Sequence, residues 1–250
     1  MQIPEGKKIY FLSDFHLGIP DHASSLAREK KVVAFLEKAS SDAAVIFILG
    51  DLFDFWFEYR KVVPKGFVRI LGKLAEITDK GIPVHFFVGN HDMWMSGYFE
   101  DELNIPVYFD AKAFTFNDKV FLIGHGDGLG PADHGYKFIK KIFRNPFAKF
   151  IFSILPPFIG MSLAHYFSKS SRAVTGNTDE KFLGEDNEWL VQYCRDVLKH
   201  TRYDYFIFGH RHLPIDFQLD DESRYINLGD WIRYDSYAEF DGDSVTLKYN

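Results

Sequence analysis

Cysteine is almost missing from this chain of 250 residues: Cys194 stands alone, so no intrachain disulfide can form, as expected of a reducing compartment. Long apolar runs are missing too. The opening residues Met1 to Lys8 carry charge and lead into no apolar stretch with a small-residue cleavage site, so the expectation is a cytoplasmic chain without a signal peptide. The longest stretch without an ionisable group, between Lys149 and His165, has 15 residues and is interrupted by Pro156-Pro157. A membrane-spanning helix needs about 20, and proline breaks it, so a transmembrane helix is excluded. There is no basic excess, and a net charge of −6 argues against general nucleic-acid binding. One absence is local. From His134 to Thr178 there is no acidic residue but seven bases, whereas the rest of the chain holds all 35 acids.

What is present is apolar and aromatic: 46% hydrophobic residues, with 27 Phe and 13 Tyr, are enough for a sizeable core. The length fits one large domain, or one domain carrying an insertion. Short apolar runs at Ile9–Leu12, Ala44–Leu49, Val84–Val88, Val120–Ile123 and Tyr205–Phe208 read as strands covered on both faces. Between them, Ser24–Ala39 and Val68–Lys80 have helical spacing, and Gly81 marks a stop. Strand, helix and strand in alternation indicate an α/β layered fold. Further on, Tyr225–Leu228 and Ser244–Tyr249 read as strands joined through Asp241-Gly242-Asp243.

The chemistry follows directly after the strands. Ser13-Asp14-Phe15-His16, Gly50-Asp51-Leu52-Phe53-Asp54, Gly89-Asn90-His91-Asp92, Gly124-His125-Gly126-Asp127 and Gly209-His210-Arg211-His212 each follow an apolar run, and four have glycine at the junction. Ligands of open α/β sheets bind beyond the carboxyl ends of strands, and glycine lets the backbone turn there. Five of the ten histidines fall in these segments. Pairs at i and i+2, Asp14/His16 and His210/His212, project to one side of an extended segment and suit one metal or two adjacent ones. Asp, Asn and His without thiolate favour Mn, Fe, Zn, Ni or Co. Two ions roughly 3.5–4 Å apart require a bridging carboxylate. Asp54 fits either a partner that holds a ligand histidine or a loop cap, and His85, inside a strand run, reads as a packing residue.

The ordered set DxH, GDxxD, GNHD, GHGD and GHxH, from Asp14 to His212, resembles the calcineurin-like metallophosphoesterases. The resemblance implies a β-sandwich flanked by helices over residues 1–250 and two divalent ions, with Mn²⁺ first among them. It implies Asp14, His16 and His212 on one ion, Asn90, His125 and His210 on the other, and Asp51 bridging. It places His91 beside the scissile phosphate, oriented by Asp92, either as an acid or as a charge stabiliser.

Between His125 and His210, phenylalanines interleave with the bases Lys137, Lys140, Lys141, Arg144, Lys149, Lys169 and Arg172. This stretch, 131–178, reads as an inserted helical lid with an apolar side for lipid and a basic side for anionic headgroups. Within the superfamily, GDLFDFW at Gly50–Trp56, HGDGLGPADHGYKF at His125–Phe138 and Leu155-Pro156-Pro157-Phe158 resemble the UDP-2,3-diacylglucosamine hydrolases of lipid A synthesis. That resemblance implies cleavage of a lipid-linked nucleotide sugar to UMP and a lipid monophosphate, at the inner face of the cytoplasmic membrane. Tyr136, Lys140, Lys141, Arg144, Lys169 and Arg172 are its substrate-binding candidates. One position departs: those enzymes carry arginine where this chain has His91. The alternatives are another nucleotide pyrophosphatase or small-molecule phosphodiesterase with an apolar lid, and a non-catalytic membrane-associated interaction protein.

Overall fold

In a computed structural model, the structure describes residues 1–130, 134–163 and 181–250, and within 134–140 only the side chains of Lys137 and Lys140. The first half alternates strands and helices: β1 (Lys8–Leu12), α1 (His22–Ala39), β2 (Ala43–Leu49), α2 (Val68–Asp79), β3 (Val84–Phe87), α3 (Tyr98–Leu103) and β4 (Val107–Tyr108). Next come β5 (Lys112–Phe116), β6 (Lys119–Ile123), α4 (His134–Arg144) and α5 (Pro146–Ile154), then a further helical segment over 157–163. The chain ends with α6 (Trp189–Leu198), β7 (Tyr205–Phe208), β8 (Pro214–Gln218), β9 (Arg224–Leu228), β10 (Ser236–Phe240) and β11 (Val245–Tyr249).

Two sheets result, in strand orders β11-β10-β1-β2-β3-β4 and β5-β6-β7-β9-β8. Each has a parallel core: β1 through β4 run together in one, and β6, β7 and β9 in the other. Antiparallel strands flank both cores. Alternate residues explain the layering. Ile9, Phe11, Val45, Phe47 and Leu49 point between the sheets and meet Phe121, Ile123, Ile207 and Ile226. Their neighbours Tyr10, Leu12, Ile46 and Ile48 point to the other face, against Val32, Phe35, Ile70 and Leu74 of α1 and α2. Phe206 and Phe208 likewise meet Leu190, Val191 and Cys194 of α6. Burial of each such side chain contributes about 1.5–3 kcal/mol, and burial on both faces is why these strands read as unbroken apolar runs.

Local chemistry sets the helix ends. Asp21 caps α1 by accepting a hydrogen bond from the Ser24 backbone at 2.9 Å. Phe67, which precedes α2, offers no side-chain cap; the buried Glu29 carboxylate of α1 accepts from the Arg69 and Ile70 backbones instead, at 3.0 and 3.1 Å. One expectation fails. The Asp241–Asp243 turn joins β10 to β11, and β9 belongs to the other sheet. The expected lid boundaries, 131 and 178, lie outside the described residues. Among the described residues, no helix is long and apolar enough to cross a membrane.

Candidate metal centre

Parallel strands bring their carboxyl ends to one edge, and the loops after β1, β2, β3, β6 and β7 therefore converge. Asp14, His16, Asp51 and His212 offer ligand atoms that all lie within 4.8 Å of one another, and so do Asp51, His125 and His210. Asp51 is common to both groups. Its Oδ2 is 3.6 Å from His16 Nε2 and 3.4 Å from His125 Nε2. Asp14 Oδ1 lies 3.3 Å from His212 Nε2. Asn90 Oδ1 lies 3.2 Å from His125 Nε2, beside the second group.

The surroundings fix each ligand atom. Asp14 uses Oδ2 to accept from the His210 backbone at 2.9 Å, and Asp51 uses Oδ1 to accept from the His91 backbone at 2.9 Å. The opposite oxygens, Asp14 Oδ1 and Asp51 Oδ2, are buried with no hydrogen-bond partner. Anionic oxygens buried like that, 3.3–3.8 Å from the surrounding imidazole nitrogens, fit a cation held between them. His125 Nδ1 donates to the Leu49 carbonyl at 2.6 Å, which leaves Nε2 for the centre. Five of the seven expected ligands, Asp14, His16, Asp51, His210 and His212, have left-handed backbones at φ between 43° and 65°. Such conformations cost about 1–3 kcal/mol each and cluster at functional sites. Glycine makes the space: a Cβ on Gly89 would fall 2.2 Å from Asp51 Oδ1, and one on Gly209 would fall 2.4 Å from Asp14 Oδ2.

Charge follows the geometry. Burial alone would raise the Asp14 and Asp51 carboxyls, but the histidines outweigh it and hold both well below the usual range. Burial would depress His125, yet the Asp51 charge lifts it to about 10, and His212 is raised by Asp14 in the same way. His210 is pushed down to about 4 by burial and by the neighbouring His125. The pocket therefore neutralises two buried carboxylates with protons on histidine, which is the charge a metal would replace.

Two expectations are corrected. Asp92 does not orient His91: its carboxylate accepts from the Gly89 and Leu52 backbones at 2.7 and 2.9 Å. It ties two ligand loops together, and burial beside Asp51 raises it to about 7. His91 is held by Asp54, whose carbonyl accepts from Nδ1 at 2.9 Å and whose Oδ1 lies 3.6 Å from both His91 Nδ1 and His16 Nδ1. The basic side of α4 is not free either. Lys140 pairs with Asp127, and Arg144 pairs with Asp110 at 2.9 Å and donates to the Phe109 carbonyl. Lys141 is exposed. The Tyr136 side chain, Lys169 and Arg172 lie outside the described residues.

Sequence reasoning missed two residues. Asp230, buried after β9, has Oδ2 at 3.4 Å from His212 Nδ1. The signal was there: Gly229-Asp230 after Tyr225–Leu228 repeats the strand-then-glycine pattern of the other loops. Arg28 of α1 donates to the His16 and Ile19 carbonyls at 2.7 and 2.6 Å, and a lone arginine on a helix gives no such signal.

A two-sheet sandwich with these ligand loops on one edge defines a metallophosphoesterase. Residues 7–214 match the calcineurin-like phosphoesterase family, and the chain belongs to it. It is 40% identical to the UDP-2,3-diacylglucosamine hydrolase of Porphyromonas gingivalis, across 96% of this chain and 97% of that one. A Hamiltonella defensa protein of the same name is 30% identical across 82% and 76% of the two chains, and an Ectopseudomonas mendocina one 28% across 94% and 95%. Among solved structures, vacuolar protein sorting 29 from Cryptosporidium parvum aligns with 99% of both chains at 12% identity and a TM-score of 0.47. The chain is thus a metal-dependent phosphoric ester or anhydride hydrolase.

Proposed function

We propose that the chain cleaves the pyrophosphate of UDP-2,3-diacylglucosamine, adding one water across a P–O bond to release UMP and 2,3-diacylglucosamine 1-phosphate. The pair of ligand groups sharing Asp51 carries the hydrolytic part of this reading, and the likeness to UDP-2,3-diacylglucosamine hydrolases over nearly the whole chain carries the substrate. Asp14, His16, Asp51 and His212 would hold one divalent cation, and Asp51, Asn90, His125 and His210 the other, with Mn²⁺ the favoured ion. Bound cations supply charge neutralisation at the phosphoryl oxygens and acidify water at neutral pH. The remaining work belongs to side chains. His91, whose Nδ1 donates to the Asp54 carbonyl, is the side chain that carries a proton to phosphate. Burial lowers its pKa, so the free enzyme holds it neutral and an incoming phosphate anion favours its protonation.

The segment 131–178 acts as the lid. Phe147, Phe150 and Phe158 are 70%, 60% and 73% exposed, an apolar surface suited to acyl chains and to peripheral contact with a membrane. Lys141 meets headgroups, while Tyr136, Lys169 and Arg172 complete the substrate set by resemblance. The test compares kcat/KM for UDP-glucosamine carrying two, one and no acyl chains, in detergent. Each buried methylene contributes up to about 0.8 kcal/mol, so the diacyl compound should react far faster, with kcat as well as KM affected. Equal values across the series would favour a nucleotide pyrophosphatase of water-soluble substrates.

A further inference from the structure

Arg211 stands between the two histidines of the loop after β7, where a guanidinium is well placed to reach for phosphate. It turns the other way. Its side chain is 3% exposed, and Nε and Nη2 donate to Oε2 and Oε1 of Glu188 at 3.1 and 3.0 Å. Nη2 also donates to the Lys181 carbonyl at 2.7 Å. Glu188, wholly buried at the start of α6, accepts in addition from the Leu183 backbone at 3.0 Å. The next residue, Trp189, sets its ring steeply tilted to that of His210, with centroids 5.7 Å apart. The same tryptophan backs the loop after His125, where a Cβ on Gly130 would fall 2.8 Å from its own Cβ. The first turn of α6 therefore grips two ligand loops at once.

Both neighbours of Arg211 have left-handed backbones, φ 65° at His210 and 53° at His212. Non-glycine residues stay there only where the surroundings hold them. A buried ion pair is a poor source of net stability, because a well-packed apolar pair of like volume often serves as well or better. What the side-on, two-point Arg211–Glu188 pair adds is fixed geometry. We propose that Arg211 is a positioning residue for cation binding. With Glu188 it holds the 209–212 loop so that His210 is presented to one ligand group and His212 to the other. The inference rests on the two-cation reading above.

The test is cation binding rather than turnover. Metal-free wild type, Glu188→Gln and the apolar double variant Arg211→Met/Glu188→Leu are titrated with Co²⁺, following the visible d–d absorption and the stoichiometry by elemental analysis. Thermal melting of the metal-free forms reports folding. The double variant should melt near wild type yet bind Co²⁺ about 10–100-fold more weakly, the range for partners of metal-ligating histidines. Its d–d spectrum should be altered as well. Glu188→Gln, which keeps the shape and loses the charge, should fall between the two and serves if the double variant does not fold. Wild-type affinity and spectrum in a folded variant would overturn the role of Arg211 alone. Wild type that takes up no Co²⁺ would overturn the two-cation reading with it.

Discussion

Asp51 and His91 sit in adjacent loops and should fail in different ways. Asp51 faces both ligand groups, so Asp51→Asn should empty both cation positions, whereas His210→Ala should weaken one; metal content per chain by elemental analysis separates the two. His91 lies with His16 and Asp54 in a third group but belongs to neither of the two that share Asp51, so His91→Ala should keep the cations at those two and lose roughly 10²–10⁴-fold in kcat. Its lowered pKa gives the sign of the pH effect. If the protonated ring assists phosphate, activity falls as pH rises through the His91 pKa, and His91→Arg, charged throughout, removes that limb from the kcat/KM profile. Unchanged kcat in His91→Ala would rule out a catalytic role.

The helices over the site divide into an attached face and an open one. Lys140 and Arg144 are spent on Asp127 and Asp110, and Trp94 donates to the Phe143 carbonyl at 2.6 Å while packing against Phe152 at 4.5 Å between ring centroids. Two sets of substitutions should therefore diverge. Phe147, Phe150 and Phe158 changed together to Ser should reduce flotation with anionic vesicles and leave hydrolysis of a water-soluble phosphodiester intact. Lys140→Gln with Arg144→Gln should instead loosen α4, read as faster proteolysis near residue 144, with little change in vesicle binding. The sequence made the ligand loops legible because each follows a strand buried on both faces, and Ile9–Leu12 and Tyr205–Phe208 are unbroken apolar runs too short for a helix. Three of the four edge strands were not legible. Val107–Tyr108 has two residues, and Lys112–Phe116 and Pro214–Gln218 expose one face, so they alternate rather than run apolar, and a reading for unbroken apolar runs passes over them. Which way Lys140 and Arg144 turn depends on Asp127 and Asp110 across space, and no local pattern carries that.

At the scale of the whole molecule the ligands come from both sheets: Asp14, Asp51 and Asn90 follow strands of one, and His125, His210 and His212 follow strands of the other. Cations held there tie the sheets together, so adding Mn²⁺ to metal-free protein should raise Tm, by about 2.7 kcal/mol of stability at a hundred times Kd. Loading should also release protons. His125, raised to about 10, and His212, raised by Asp14, are protonated at pH 7 in the metal-free pocket and must lose those protons to become ligands. Apparent affinity should thus rise with pH, and calorimetry in buffers of different ionisation enthalpy should register proton release on loading, a value near zero contradicting the charge scheme.

The strand order also sets a timetable. β1, which delivers Asp14 and His16, pairs on one side with β2 but on the other with β10, more than 220 residues later. During synthesis the edge of β1 stays open while β2, β3 and both later ligand loops emerge, and an open parallel sheet rich in phenylalanine invites pairing with other chains. Cation capture needs His210 at one position and His212 at the other and is thus a late event, nearly coincident with closure of that edge by Ser236–Phe240. A nascent chain of this kind depends on whatever shields β1 in the interval, and truncation before β10 should yield aggregates rather than a weakened enzyme.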